Sequence, residues 1–129
     1  MNNTNIIAGA LVDGNRVLVA KCGQDRNLPG HWEFPYREKR PGETHEETLI
    51  RMFKEDFGTN IRVCRHLGKS FSGRVRLDVY VCEVVPRTRP VALEHEELRW
   101  VKSHEFYGLD WVPDFIEYLI SVRAIIREF

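Results

Sequence analysis

The alternation of apolar and polar positions divides the chain into short β-rich runs arranged around one strongly periodic helix. Ile6 to Val12 and Arg16 to Cys22 are apolar runs joined by Asp13-Gly14-Asn15, a turn triplet that predicts a β-hairpin. Residues 23–31 are polar and contain Gly23, Pro29 and Gly30, so a loop is expected there. Trp32 to Pro35 reads as a short strand that Pro35 ends. Glu38-Lys39-Arg40-Pro41-Gly42 then turns the chain, with Lys39 and Arg40 expected to be solvated. From Gly42 to Gly58 the period becomes helical. At ~100° per residue, Leu49, Ile50, Phe53 and Phe57 share one apolar arc, and Arg51, Met52, Glu55 and Asp56 fall opposite. Thr44 followed by Glu47 is a capping box, and Gly58 can take the left-handed conformation that stops a helix.

Beyond Gly58, residues 61–67 are expected to form a strand and Gly68 to Gly73 a turn. Residues 74–85 alternate, with Val75, Leu77, Val79 and Val81 on one side and Arg74, Arg76, Asp78 and Tyr80 on the other. That pattern predicts a half-buried antiparallel strand. Leu98 to Val101 is a short strand entered from the acidic run Glu94-His95-Glu96-Glu97, and Ser103 is expected to cap a single helical turn. Pro113 suits the first turn of a final helix running to about Arg127, with Phe115, Ile116, Leu119, Ile120, Val122, Ile125 and Ile126 on a broad apolar face. Strands surrounding one helix, with a second helix at the end, predict an α/β sandwich around a mixed sheet, formed by one domain over residues 1–129.

Charge and composition narrow the function classes. Nineteen basic and nineteen acidic residues cancel, so no global field favours a nucleic-acid polymer or a membrane surface. No apolar run has the length of a transmembrane span, and the first residues lack the basic and apolar segments of a signal peptide. Cys22, Cys64 and Cys82 are widely spaced and read as reduced thiols of a cytoplasmic protein rather than a zinc site.

The helix 42–58 carries the candidate chemistry. A helix that buries one face and gathers carboxylates at its other edge suits a hard cation such as Mg²⁺, although a solvated acidic face gives the same pattern. The spacing of Glu43, Arg51, Glu55, Asp56 and Gly58 matches the Nudix box, Gly-x5-Glu-x7-Arg-Glu-apolar-x-Glu-Glu-x-Gly-apolar. Leu28 to Pro35, Leu-Pro-Gly-His-Trp-Glu-Phe-Pro, resembles the lead-in of MutT-like members. The chain therefore resembles a Nudix hydrolase of the MutT-like, CTP pyrophosphohydrolase-like branch over nearly its whole length, which implies an α/β/α sandwich with a mixed sheet. It departs from the box at Arg37, where the first Gly stands, at Met52, where a Glu stands, and at Asp56, which replaces the last Glu.

The resemblance implies that Glu55 and Asp56 hold Mg²⁺, with Mn²⁺ as the alternative. Glu43 then has a supporting or outer-ligand role, and Arg51 orients a neighbouring carboxylate, with Glu55 one turn on as the expected partner. It also implies an acidic residue in the loop before the late strand that carries Trp100. Glu94 fits that role best, with Glu96 and Glu97 as alternatives. Asp114, at the start of the last helix, is either a base reader or an ordinary first-turn acid favoured by the helix dipole. Arg37 is either a phosphate contact or a solvated loop residue. Phe34 and Trp111 either stack on a base or belong to the core.

These features point to hydrolysis of a nucleoside triphosphate to monophosphate and pyrophosphate by a monomer or homodimer. The substrate would be a small-molecule nucleotide. Met52 and Arg37 keep a second reading open: a catalytically impaired domain that binds a nucleotide or a protein. A thioether neither coordinates Mg²⁺ well nor accepts a proton as a general base.

Overall fold

The computed structural model describes residues 3–22, 28–85 and 97–127. The first hairpin forms as its pattern predicts, β1 over Thr4–Asp13 and β2 over Arg16–Lys21, with Gly14 at φ 61° in the turn. Two short strands follow, β3 (Trp32–Glu33) and β4 (Tyr36–Glu38), separated by Phe34 and Pro35. β4 lies beyond the expected Trp32–Pro35 strand and takes in Glu38, the first residue of the expected turn. Its pairing with β1 shows that a three-residue edge strand forms between Pro35 and the loop. Helix α1 spans His45–Phe57; β5 spans Ile61–Ser72, β6 Val75–Val84, β7 Glu97–Lys102 and helix α2 Leu119–Arg127.

The strands form one mixed sheet in the order β3-β2-β1-β6-β5, with β4 against β1 and β7 against β2. β1 runs parallel to β6 and antiparallel to its other partners. Side chains alternate across the sheet and build two cores. On one face Ala8, Ala10, Val79 and Val81 meet Phe106, Phe115, Leu119 and Val122, which belong to the C-terminal helical region. On the other, Ile7, Leu11, Leu18 and Cys82 meet Leu49, Met52, Phe53 and Phe57 of α1. The result is the expected α/β/α sandwich. Among the described residues no helix is long and apolar enough to cross a membrane.

α1 sits on bare backbone. A Cβ on Gly9 would come 2.7 Å from Phe53 Cε2 and 3.2 Å from Leu49 Cδ2, so glycine allows the helix its close approach.

Four expectations change. β6 is buried on both faces and lies between β1 and β5, because Asp78 and Cys82 are covered as fully as Val79. β5 runs on through Gly68 to Ser72, and the turn falls at Gly73 (φ 60°). Gly68 leaves room for Tyr118, whose Cε1 lies 3.3 Å from where a Cβ would stand, so it marks a close approach and not a turn. The segment from Pro113 begins as a 3₁₀ turn to Tyr118 before α2, and Ile116 and Ile120 point outward. The 3₁₀ turn Ser103–Gly108 is entered from Lys102, whose backbone N–H donates to Glu105 Oε1 at 3.0 Å, so Ser103 is not its cap.

Candidate active site

α1 starts and stops where its caps dictate. The Thr44 hydroxyl accepts from Glu47 N–H at 3.1 Å, and Glu47 Oε1 accepts from Thr44 N–H at 2.8 Å. Gly58, at φ 61°, donates to the Lys54 carbonyl. These caps fix which residues face the sheet. Leu49, Met52, Phe53, Asp56 and Phe57 are buried, whereas Ile50 is exposed. Met52 and Asp56 therefore leave the solvent side expected of them. They share the i, i+4 stripe beside Leu49 and Phe53, and the sheet covers an arc centred there. Met52 has the apolar neighbours that suit a thioether, and this accounts for methionine at a position where the box has a carboxylate.

The loop before α1 and the helix itself bring Glu43 and Arg51 together. Arg51 Nε donates to Glu43 Oε2 at 2.8 Å and Nη2 to Oε1 at 3.0 Å, a bidentate pair. Glu43 Oε1 also accepts from Arg40 N–H at 2.9 Å and from the Thr48 hydroxyl at 3.0 Å. The Arg51 guanidinium, aided by the Arg40 backbone N–H, lowers the Glu43 carboxyl from 4.5 to about 2. Arg51 is thus anchored to Glu43, and Glu55 is its looser neighbour at 3.9 Å from Nη1. This corrects the expectation that Glu55 is its main partner. Thr48 and the Glu38 carbonyl, which accepts from Arg51 Nη2 at 3.3 Å, complete the frame. Neither is marked in the sequence except through helical and turn spacing.

Arg37 reaches the same edge from β4. Its register opposite Ile7 aims it at the α1 side of the sheet, and Tyr36, opposite Ala8, faces the other side. Arg37 Nη2 hydrogen-bonds Asp56 Oδ1, and Nη1 lies 3.9 Å from Glu55 Oε2. Asp56 is nearly buried, whereas the Glu55 side chain is 48% exposed and presents its carboxylate to solvent. Arg37 is therefore neither a solvated loop residue nor isolated from the acidic edge.

Glu43, Arg51, Glu55, Asp56 and Arg37 thus converge. Glu94, Glu96 and His95 lie outside the described residues. Glu97 opens β7 and pairs with Lys21 at 3.7 Å. Among the described residues no three His, Cys, Asp or Glu side chains are grouped closely enough to hold a metal ion. The hard carboxylate oxygens of Glu55 and Asp56 suit an Mg²⁺-class cation in kind. The exposed Glu55 is open to one, while Asp56 already carries a guanidinium.

The base side is arranged differently. Asp114 stands exposed at a cleft of about 350 Å³ that Ile6, Tyr36, Leu77 and Phe115 also line. Phe34 is fully buried; its ring centroid lies 5.1 Å from that of Trp111 and 5.6 Å from that of Phe115. Trp111 is buried too and donates its Nε1–H to the Phe106 carbonyl at 2.7 Å. Both rings are core, so stacking of a base on Phe34 is corrected: no face of it is open. Tyr36, part-exposed at the cleft and unmarked in the sequence, is the aromatic that lines it. Its position follows from the strand period after Pro35.

The NUDIX domain model matches residues 3–119. A Mycobacterium tuberculosis protein named Putative 8-oxo-dGTP diphosphatase 2 is 33% identical over 118 residues, covering 88% of this chain and 83% of its own. The Nucleoside triphosphatase NudI of Enterobacter sp. is 23% identical over 126 residues, covering 85% and 89%. Among solved structures, the Escherichia coli ORF135 protein superposes with a TM-score of 0.78 at 21% identity, covering 97% of this chain and 91% of that one. A MutT protein of methicillin-resistant Staphylococcus aureus gives 0.74 at 25%, covering 96% and 98%. Nudix hydrolases generally use divalent metal ions and act on small-molecule nucleotides. With the box residues aligned along one edge of α1 and the loop before it, and the family model spanning most of the sequence, the chain belongs to the Nudix hydrolase family.

Proposed function

We propose that this enzyme is a nucleoside triphosphate pyrophosphohydrolase that releases a nucleoside monophosphate and pyrophosphate with Mg²⁺, Mn²⁺ serving as a substitute. The observation that carries this reading is the Arg51–Glu43 bidentate pair set beside Glu55 and Asp56. Glu55 and Asp56 would hold the cation, supported by Glu43 and by Glu94. Bound there, it supplies neutralisation of charge on the phosphoryl oxygens. Arg51, fixed by Glu43, keeps Glu55 at the solvent edge. Glu55 accepts a hydrogen bond from the attacking water and takes up its proton. Water oxygen bonds to phosphorus as the bridging P–O bond breaks, and pyrophosphate leaves. A cytoplasmic protein with reduced thiols fits the three cysteines, none of which forms a disulfide in the structure.

Asp114 is our candidate base reader. An ionised carboxylate only accepts hydrogen bonds, so it suits a base edge that donates. Cytosine N4 is such a donor. The oxidised purine in the mycobacterial relative's name is one as well, through N7–H. Pyrophosphate release is to be measured over a panel that includes CTP, dCTP and 8-oxo-dGTP, with Mg²⁺ or Mn²⁺. Turnover well above that of Glu55→Gln is expected, with an amine-bearing or otherwise donating base ranked first. Turnover no higher than in that variant rejects the reading. Asp114→Asn should flatten the ranking without altering metal dependence.

Met52 in the apolar core and Arg37 on Asp56 support a second reading, a domain that binds a nucleotide or protein without cleaving it. Calorimetry showing tight nucleotide binding without turnover would favour it over hydrolysis.

A further inference from the structure

Glu55 and Asp56 are both faced by the same guanidinium. Arg37 hydrogen-bonds Asp56 Oδ1, and its other terminal nitrogen lies 3.9 Å from Glu55 Oε2. That Glu55 oxygen is also 3.9 Å from Arg51 Nη1, so it sits between two cationic forks. The Asp56 side chain is 5% exposed, and a carboxylate so covered requires a countercharge wherever it is ionised. Arg37 comes from the edge strand β4, which pairs only with β1 among the described residues. It stands where the box has a glycine, which could supply no such charge.

We propose that Arg37 is the resident counter-cation of Asp56 and competes with a divalent metal ion for that carboxylate, so that metal entry requires Arg37 to let go. The inference rests on the reading of Glu55 and Asp56 as the metal edge. A guanidinium donates N–H bonds into the oxygen lone pairs that a metal ion coordinates, so the two cannot share one oxygen fully. Charge acts in the same direction. Among the described residues, the three carboxylates Glu43, Glu55 and Asp56 against the two guanidiniums Arg37 and Arg51 leave a formal −1. A neutral residue at position 37 would leave −2 on the same donors. The free protein should therefore bind divalent ions more weakly than its carboxylates alone would allow.

Mn²⁺ binding to the full chain, without nucleotide, tests this by electron paramagnetic resonance. Arg37→Gln is expected to tighten Mn²⁺ binding about tenfold or more, because a unit positive charge has been removed a few ångströms from the ion. In an Asp56→Asn background the same change should give a clearly smaller gain, because the competition for the Asp56 oxygen is gone and only the charge facing Glu55 is removed. If Arg37→Gln binds Mn²⁺ as wild type does while Asp56→Asn binds it more weakly, the competition is wrong and the metal edge survives. If Glu55→Gln and Asp56→Asn both leave Mn²⁺ affinity untouched, or if neither wild type nor Arg37→Gln binds Mn²⁺, the reading of the edge fails and the competition with it. A second measurement needs no variant. In the wild type the Arg37 Nε–Hε NMR signal should shift in step with Mg²⁺ saturation. A signal that stays fixed at saturation overturns the proposal.

Discussion

Two acidic clusters lie on the α1 face of the sheet, and they differ in how their charges are held. On β6, Asp78 is fully buried. It accepts from Arg76 Nε at 2.8 Å and from His66 Nε2 at 2.8 Å, and the His66 ring lies 4.8 Å from that of Tyr80. Burial alone would raise the Asp78 carboxyl, but Arg76 and His66 outweigh it and the net shift is downward. At the end of α1, Glu55 is half exposed, and its two guanidinium neighbours stand at 3.9 Å. The first cluster has closed on itself. The second leaves a carboxylate oxygen facing solvent, within reach of a ligand. An acidic group surrounded by cations therefore becomes a candidate site through looseness and exposure, not through charge alone.

The largest test of this contrast is Arg76→Met. It leaves the buried Asp78 carboxylate with His66 as its remaining side-chain hydrogen-bond partner among the described residues, and a loss of about 3 kcal/mol in unfolding free energy is expected by denaturant titration. Turnover per folded molecule should hold. A stability loss below about 1 kcal/mol would show that water replaces the guanidinium without penalty. Glu55→Gln should do the reverse. Turnover is expected to fall about a hundredfold, near 2.7 kcal/mol of barrier, with stability changed by less than about 0.5 kcal/mol. Equal effects on both measurements would erase the distinction between the clusters.

Met52→Glu probes the boundary between core and site. The box pattern alone suggests that restoring a carboxylate would help. Its neighbours are instead Leu49, Phe53, Phe57 and Leu18, so a loss of about 1–3 kcal/mol in stability is expected, with no gain in turnover. A tenfold rise in turnover would mean that the new side chain reaches the Asp56 edge.

The smallest effect is acid sensitivity through Glu43. Its folded pKa, about 2, lies below its ordinary 4.5, so the folded state binds its proton less readily than the unfolded chain does. The contribution of the Arg51 pair is complete above about 4.5 and is lost as pH falls towards 2. Glu43→Gln should flatten the stability profile across that window. An unchanged profile would assign acid sensitivity to other carboxylates.

The elements of this fold were legible wherever a local rule governs them. Thr44, Glu47 and Gly58 bound α1 through bonds to residues a turn away, and Asp13-Gly14-Asn15 closes the first hairpin through its own dihedrals. The box spacing likewise marked Glu43 and Arg51, because loop and helix geometry bring them together. The Arg37–Asp56 pair was not legible. It spans 19 residues and depends on β4 pairing with β1 in one register, opposite Ile7. The burial of Met52 and Asp56 was hidden for a related reason: the helical period shows an apolar arc but not where the sheet centres it. Phe34 and Tyr36 show the same limit. They stand on either side of Pro35, and only the packing shows that one fills the core and the other lines the cleft.

β4 is three residues long, and two neighbours on it face in opposite directions. Tyr36 presents an aromatic ring to the cleft beside Asp114, and Arg37 presents a cation to the acidic end of α1. Consecutive residues of a strand share one rigid peptide plane. A shift of the β4 backbone at this point would therefore displace the root of the ring and the root of the charge together.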